Sequence, residues 1–170
     1  MREEKTTPGK PVNAIARLSN ETDARVVIVT NQACVGRQKL SPEIAAEIMQ
    51  RVALRVEEAG GRLDAVYFAT NGSDYVPPPG AVSARKPEPG LLLQAAHDFG
   101  PEIDLADSYM IGDMTTDIAA GKSADPRLTA VLVRTGFAGS DLRANAAPDH
   151  VCADISQAVD WIIARENRPE

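Results

Sequence analysis

Hydrophobic and polar positions along the chain alternate between mainly apolar runs and runs with helical spacing. The apolar runs predict strands, because a parallel strand covered on both faces needs apolar side chains throughout. These runs cover residues 25–30, 63–69, 108–111 and 129–133. Apolar residues at helical spacing predict helices between and around the strands, at residues 12–18, 42–59, 89–99, 115–123 and 155–165. This alternation predicts an α/β fold over residues 1–170, with helices on both faces of a parallel sheet.

Several residues mark where these elements begin and end. Ser41 followed by Pro42 predicts a helix start, and Gly60-Gly61 predicts the end of that helix. Residues 31–40 are predicted to form a loop. A second and longer loop is predicted at residues 70–88, and loops of such length in compact domains are often functional.

Composition narrows the class of protein. The 170 residues are 44% hydrophobic and carry a net charge of −6, so no general affinity for nucleic acid or an anionic membrane is expected. No apolar run is long enough to predict a transmembrane helix, and the polar segment Met1–Pro11 does not resemble a signal peptide. Cys34 and Cys152 lack metal-ligand spacing and are predicted to be free thiols in a reducing cytoplasm.

Polar clusters follow the predicted strands or begin the predicted helices. They are Thr30-Asn31-Gln32, Arg85-Lys86, Gly112-Asp113 and Asp117. Ligands of such sheets bind beyond the carboxyl ends of the strands, so the clusters after strands are expected at one rim. Hydroxyl, amide and cationic groups suit a phosphate. A carboxylate beside them suits Mg²⁺, which prefers oxygen ligands and bridges to substrate phosphates.

Three segments carry a family resemblance. VVIVTNQACVGR, RKPEPGLLLQAA and MIGDMTTDIAAG resemble the second, third and fourth motifs of the haloacid dehalogenase (HAD) superfamily. The residues of the first two segments are similar to those of one branch of this superfamily, which contains D-glycero-D-manno-heptose 1,7-bisphosphate phosphatases and histidinol-phosphate phosphatases. The resemblance implies a Rossmann-like three-layer sandwich and a cytoplasmic, Mg²⁺-dependent phosphatase. Its partner would be a small phosphorylated substrate from carbohydrate metabolism, or histidinol phosphate.

The resemblance also implies roles for individual residues. Thr30 and Asn31 would bind the oxygens of the transferring phosphoryl group, and Gln32 would line the same loop. Arg85 would contact substrate, and Lys86 would neutralise charge on the phosphoryl group. The metal ligand would be Asp113, and Asp117 would either ligate Mg²⁺, orient Lys86 or hold a metal-bound water.

Each of these residue types also has an ordinary structural role. Thr30-Asn31 could be a simple turn, Lys86 could be a solvated surface lysine, and Asp113 could only cap a helix. Asp117 could equally be a favourable charge at a helix start. Outside the motifs, we expect surface positions for His97 and His150 and core packing for Trp161.

The chain departs from the family at its beginning. Relatives start with an apolar strand ending in Asp-x-Asp-Gly-Thr, whose first Asp is the nucleophile and whose second is the general acid and base. The 170 residues contain no such segment. We therefore expect an N-terminally incomplete domain whose first central strand, between those ending at Thr30 and Asp113, is absent. The alternatives are a catalytically inactive sugar-phosphate-binding pseudoenzyme and a receiver-like signalling domain.

The loop at residues 71–85 stands where many relatives bind zinc. A structural zinc site needs four ligands, usually cysteine and histidine, and this loop has neither residue type. No zinc is predicted.

Overall fold

The computed structural model of the protein describes residues 10–36, 39–70 and 78–168. Its helices and strands alternate along the chain. In order, they are α1 (Lys10–Glu21), β1 (Val27–Asn31), α2 (Ala33–Gly36), α3 (Pro42–Glu58), β2 (Ala65–Ala69), α4 (Gly90–Phe99), β3 (Tyr109–Gly112), α5 (Thr115–Ala124), β4 (Thr129–Val133), β5 (His150–Cys152) and α6 (Ile155–Glu166). Two short 3-10 turns lie between α4 and β3. The predicted α/β class is confirmed.

The strands form two separate parallel sheets rather than one. β1 pairs with β2, so that Val27 lies opposite Ala65. The second sheet has the order β3-β4-β5, with Tyr109 opposite Thr129. Within the described ranges no strand lies between β1 and β3. Among the residues that the structure describes, their facing edges therefore have no ladder partner.

Helices cover both faces of the larger sheet. Successive residues of a strand point to opposite faces, and β3 shows this directly. Met110 lies against α5, where a Cβ added to Gly121 would come within 2.9 Å of the Met110 Cβ. Ile111 packs instead on the cluster of Val131, Val133, Cys152 and Ala158, which joins β4 and β5 to α6. The predicted three-layer arrangement is confirmed for this half of the molecule.

The predicted element boundaries agree with the structure to within two residues, except at α1, which runs from Lys10 to Glu21 rather than over residues 12–18, and in two further places. Ser41 caps α3 as predicted, its Oγ accepting the Ile44 N–H at 3.3 Å. The predicted loop at residues 31–40 contains the short helix α2. β5 was not predicted, because its three residues, His150–Cys152, are too short to form an apolar pattern. Among the described residues, no helix is long and apolar enough to cross a membrane.

Candidate functional site

Asn31 joins the end of β1 to the loop that carries Lys86. Its Nδ2 donates to the Lys86 carbonyl and its Oδ1 accepts the Lys86 N–H, both at 3.0 Å. This two-point bond fixes Lys86 beside β1, although the two residues are 55 positions apart. The Asn31 side chain thus positions Lys86, whereas its predicted contact with phosphate stays a prediction.

Lys86 forms a nearly buried ion pair with Asp117. The Lys86 Nζ lies 2.7 Å from Asp117 Oδ1, and the two side chains are only 12% and 7% exposed. The ammonium also donates to the Val29 carbonyl of β1 at 2.9 Å. A solvated surface lysine would have neither the burial nor these partners, so that alternative is wrong for Lys86. The pair brings together the two residues that the third and fourth motifs contribute.

Asp117 also accepts a hydrogen bond at the start of its own helix, α5. Its Oδ2 accepts the Met114 N–H at 3.0 Å, which satisfies a donor at the start of α5. Gly112 permits this approach, because a Cβ there would lie 2.3 Å from Asp117 Oδ2. Asp117 therefore caps α5 and pairs with Lys86 at the same time. The helix-start role is confirmed by the Met114 bond, whereas the role of Asp117 at a metal stays a prediction.

Asp113 follows β3 and is enclosed by the loop after β4. Its Oδ2 accepts the Phe137 N–H at 2.8 Å, and its carbonyl accepts the Gly139 N–H at 2.8 Å. Gly136 lies so close that an added Cβ would come within 2.1 Å of Asp113 Oδ2. Gly136 also has a φ of +73°, a conformation that favours glycine. The loop thus holds the Asp113 carboxylate in one orientation.

The sequence did not predict the residues that connect this loop to α5 by hydrogen bonds. Asp141 accepts the Thr115 N–H at 2.7 Å through Oδ1 and the Thr115 hydroxyl at 2.8 Å through Oδ2. Burial alone would raise the pKa of Asp141, but the hydrogen bonds from Thr115 and neighbouring backbone lower it below its ordinary value. No motif includes Asp141. A Thr at a helix start with an Asp in a glycine-rich loop is too common a pattern to identify the pair.

The remaining predicted site residues flank this centre. Gln32 Nε2 donates to Thr30 Oγ1 at 3.3 Å, so the two side chains form one patch at the end of β1. Arg85 is half-buried, and its N–H donates to Ser83 Oγ at 3.2 Å. The peptide bond between Lys86 and Pro87 is cis. Contacts thus connect the β1 end, the Lys86 loop and the start of α5 at one rim.

Residues predicted to lie away from the site have other surroundings. Cys34 and Cys152 are free thiols, the first exposed and the second buried, and burial raises the pKa of the Cys152 thiol. His97 is exposed as predicted. His150 is half-buried instead, because its ring stacks on Trp161 with centroids 4.4 Å apart. Of the loop expected to replace a zinc site, residues 71–77 lie outside the described part of the chain.

The arrangement has the chemistry of an anion and metal site. The nearly buried Lys86 ammonium is paired with the Asp117 carboxylate, while the Thr30 hydroxyl and the Gln32 amide lie at the end of β1 and Asp113 follows β3. Lysine can neutralise phosphate as a point charge. Carboxylate oxygens are the ligands that Mg²⁺ prefers. The residue set therefore fits a phosphate with a magnesium ion beside it.

Comparison with known protein families indicates the same superfamily as the three sequence motifs. A family model described as HAD-hydrolase-like matches residues 83–158. The D-glycero-D-manno-heptose-1,7-bisphosphate 7-phosphatase of Chlorobaculum tepidum is 33% identical over 153 residues, which cover 86% of this chain and 74% of that protein. The enzyme of the same name from Thermosynechococcus vestitus is 33% identical over 162 residues, covering 88% and 79%.

A solved structure shares the fold. It is the crystal structure of D,D-heptose 1,7-bisphosphate phosphatase from B. bronchiseptica complexed with magnesium and phosphate. The TM-score is 0.77 at 28% identity, and the alignment covers 94% of this chain and 84% of that one. The HAD-like fold predicted from the three motifs is confirmed.

Proposed function

This chain belongs to the heptose bisphosphate phosphatase family of HAD-like hydrolases, and we therefore propose that its site acts on a small sugar phosphate such as D-glycero-D-manno-heptose 1,7-bisphosphate. The reaction is hydrolysis of a phosphoric monoester. Histidinol phosphate is a less favoured substrate, because the relatives compared above are named for the heptose bisphosphate. Those names also favour a phosphatase over a non-catalytic binder.

The buried Lys86–Asp117 pair is the observation that carries this proposal. Burying an ammonium is costly unless it is paired and hydrogen-bonded. Here one cation, the Lys86 ammonium, is held at the strand ends by Asp117 and the Val29 carbonyl. The hydrogen bonds from the Asn31 side chain to the Lys86 backbone fix the residue that carries it. Such a preorganised charge stabilises the charge of a transferring phosphoryl group better than a mobile one, because no reorganisation is needed during the reaction.

Each of the other residues has a distinct task in the proposed site. The Thr30 hydroxyl donates to a phosphoryl oxygen, and Gln32 orients that hydroxyl through its own hydrogen bond. Asn31 positions Lys86 through the two backbone bonds. Arg85 contacts the sugar phosphate from the same loop. Phosphoryl transfer relies chiefly on such positioning and electrostatic stabilisation.

Mg²⁺ is the proposed cofactor, and Asp113 is its proposed protein ligand. The donor set fits, since a carboxylate at a strand end supplies hard oxygen and Mg²⁺ is commonly held by one or two carboxylates plus substrate phosphate. When bound, the ion would neutralise phosphate charge and orient the substrate. Asp141 and Gly136 keep the loop around Asp113 in place.

The proposal is tested by measuring phosphate binding and release separately. The 170-residue chain is expected to bind the heptose bisphosphate in calorimetry. The same chain, preceded by an apolar strand ending in Asp-x-Asp-Gly-Thr, is expected to release phosphate only when Mg²⁺ is present. Lys86→Met should lower the rate of release about a hundredfold, comparable to the loss of one preorganised donor.

Lys122→Met is the matched control for this experiment. Lys122 also donates to a backbone carbonyl, that of Leu128, and pairs with a carboxylate, Asp149. It lies at the other end of α5 from Asp117. The control should keep the rate of release. Equal rates in wild type and Lys86→Met, or release that persists in EDTA, would contradict the proposal.

A further inference from the structure

The loop between β4 and β5, residues 134–149, folds back over the proposed metal ligand. Its Phe137 N–H donates to Asp113 Oδ2, and its Gly139 N–H donates to the Asp113 carbonyl, both at 2.8 Å. Two separate backbone groups of the β4–β5 loop are therefore bonded to Asp113. The loop forms part of the rim at which the candidate site lies.

The backbone of Phe137 is held on both sides. Its N–H is used by Asp113, and its carbonyl accepts the Ser140 N–H at 2.8 Å and the Ser140 hydroxyl at 2.5 Å. The residues before and after it, Gly136 and Ala138, have φ values of +73° and +52°. A non-glycine residue in this conformation is uncommon and persists where surrounding contacts determine the backbone. The Phe137 side chain therefore leaves the backbone from a fixed point beside Asp113.

The side chain at this fixed point is an exposed aromatic ring. Phe137 is 54% exposed, and among the exposed large hydrophobic residues of the described ranges it is the only aromatic one. Single exposed apolar residues are common on protein surfaces, but the bond to Asp113 defines the place of this one. Standard bond lengths put the ring centre within about 9 Å of the Asp113 carboxylate. The ring is thus within reach of the organic part of a substrate whose phosphate is bound beside Asp113.

The other groups of the candidate site suit phosphate and metal rather than carbon. Lys86, Thr30 and Asp113 supply charge and hydrogen bonds. Small-molecule sites generally combine a few polar groups, which fix orientation, with apolar or aromatic side chains that contact the remaining surface of the ligand. Here the polar groups are present at the strand ends, and Phe137 is the aromatic side chain next to them.

We propose that the Phe137 ring contacts the carbon skeleton of a sugar phosphate in the candidate site and so favours a phosphosugar over phosphate alone. This inference rests on the proposed function, because it requires the phosphate to be bound beside Lys86 and Asp113. The C–H groups on one face of a sugar are apolar, and an aromatic ring offers a flat apolar surface to them. Contact removes the exposed ring surface from water, which favours binding. Because the Phe137 backbone is already fixed, less entropy is lost on binding.

Phe137→Ala removes the ring but keeps the backbone N–H that donates to Asp113. Calorimetric titrations of the 170-residue chain with Mg²⁺ present use two probes, inorganic phosphate and D-glycero-D-manno-heptose 1,7-bisphosphate. In this variant the Kd of the heptose bisphosphate should rise about tenfold, equivalent to about 1.4 kcal/mol, whereas the Kd of inorganic phosphate should stay the same. Phe137→Tyr retains an aromatic face and should bind the heptose bisphosphate as wild type does.

NMR tests the contact directly. In the complex with the heptose bisphosphate, a nuclear Overhauser effect is expected between ring protons of Phe137 and C–H protons of the bound sugar. The Phe137 signals are assigned by their absence in Phe137→Ala. The ring of Phe99, at the end of α4 away from the Lys86 loop, should show no such effect. No effect at Phe137 in the saturated complex would contradict the proposal.

Leu142→Ala is the matched control for the titrations. Leu142 lies in the same loop and is 85% exposed, and it follows Asp141, whose side chain bonds to Thr115 rather than to Asp113. This variant should keep both affinities.

Two results of the titrations would overturn the proposal. Equal weakening of inorganic phosphate and heptose bisphosphate in Phe137→Ala would show that the ring acts through Asp113. Unchanged affinity for both probes would show that the ring is an ordinary surface group. A wild-type chain that binds neither probe would instead contradict the proposed function, and this inference with it.

Discussion

At the scale of single residues, the candidate site depends on close approaches that only particular side chains allow. Gly112 and Gly136 each leave room for a carboxylate oxygen, of Asp117 and Asp113 respectively. Lys86 satisfies Asp117 inside the protein, so the two are energetically coupled. Substitutions at these positions should therefore change the free energy of unfolding and the Mg²⁺ affinity of the site.

Gly136→Ala is expected to damage the proposed metal site at Asp113 in addition to straining the backbone. The new Cβ would collide with Asp113 Oδ2, and the left-handed backbone adds about 1–2 kcal/mol of strain. Gly60→Ala is the matched control, because Gly60 has a φ of +79° but no atom within 4 Å of its added Cβ. Urea unfolding should show the strain of the left-handed backbone as a lower free energy of unfolding in both variants. Calorimetric titration should show weaker Mg²⁺ binding only in Gly136→Ala, and equal affinity in both would contradict the assignment of Asp113.

Lys86→Met is expected to destabilise the fold by about 3–5 kcal/mol, because it leaves the buried Asp117 carboxylate unpaired. Adding Asp117→Asn should recover part of this loss, since the uncompensated charge is then removed. Arg51→Met breaks the exposed pair with Glu47 and should cost under about 1 kcal/mol. Urea unfolding of wild type and these variants measures the differences. A loss in Lys86→Met as small as that in Arg51→Met would show that the pair is solvated.

At the scale of secondary-structure elements, a carboxylate anchors the beginning of the smaller sheet. Asp64 accepts the Val26 N–H at 2.7 Å and pairs with Arg25 and Arg62, while its own N–H donates to the Val26 carbonyl. The side chain is 5% exposed. Although burial alone would raise the pKa of Asp64, these hydrogen bonds lower it below its ordinary value. Asp64 therefore links the stability of the β1–β2 pair to pH.

The expected pH dependence follows from the direction of this shift. A lowered pKa in the folded state means that the contribution is complete above the unfolded pKa, about 3.9 for Asp. It is lost as the pH falls through the folded value. The difference in unfolding free energy between wild type and Asp64→Asn should therefore be constant near neutral pH and shrink below about pH 4. Urea unfolding across a range of about pH 3–7 measures it, and a difference that stays constant down to the acid end of that range would disprove the linkage.

Short elements were the hardest to predict from the sequence. The start of α3 was predictable because Ser41 and Pro42 act locally, through a side-chain cap and a fixed φ. β5 has three residues, and its place beside β4 depends on pairing of Val131 with His150 rather than on any pattern within it. The same holds for the Asp141–Thr115 contact, whose partners are 26 residues apart.

At the scale of the whole molecule, the two sheets are packed against shared helices, and no ladder joins them within residues 10–36, 39–70 and 78–168. α1 packs on α6 through Ala14, Val159 and Ile163, while α4 lies against β1 and β2 on one side and α5 on the other. Residues of both halves consequently line the cavity between β1 and β3.

Local patterns in the sequence were sufficient to predict the fold class, most element boundaries and the residue types of the candidate site. Periodicity, caps and the three motifs each depend on residues close together along the chain, so they can be recognised without coordinates. Long-range packing was needed to show that Asn31 binds the backbone of Lys86, that Lys86 and Asp117 are buried together, and that Gly136 and Asp141 hold the loop at Asp113. It was also needed to show that β1 and β3 line one cavity, together with polar and apolar side chains of the surrounding helices. These contacts join residues distant along the chain, and their energies depend on burial and distance, which no linear pattern records.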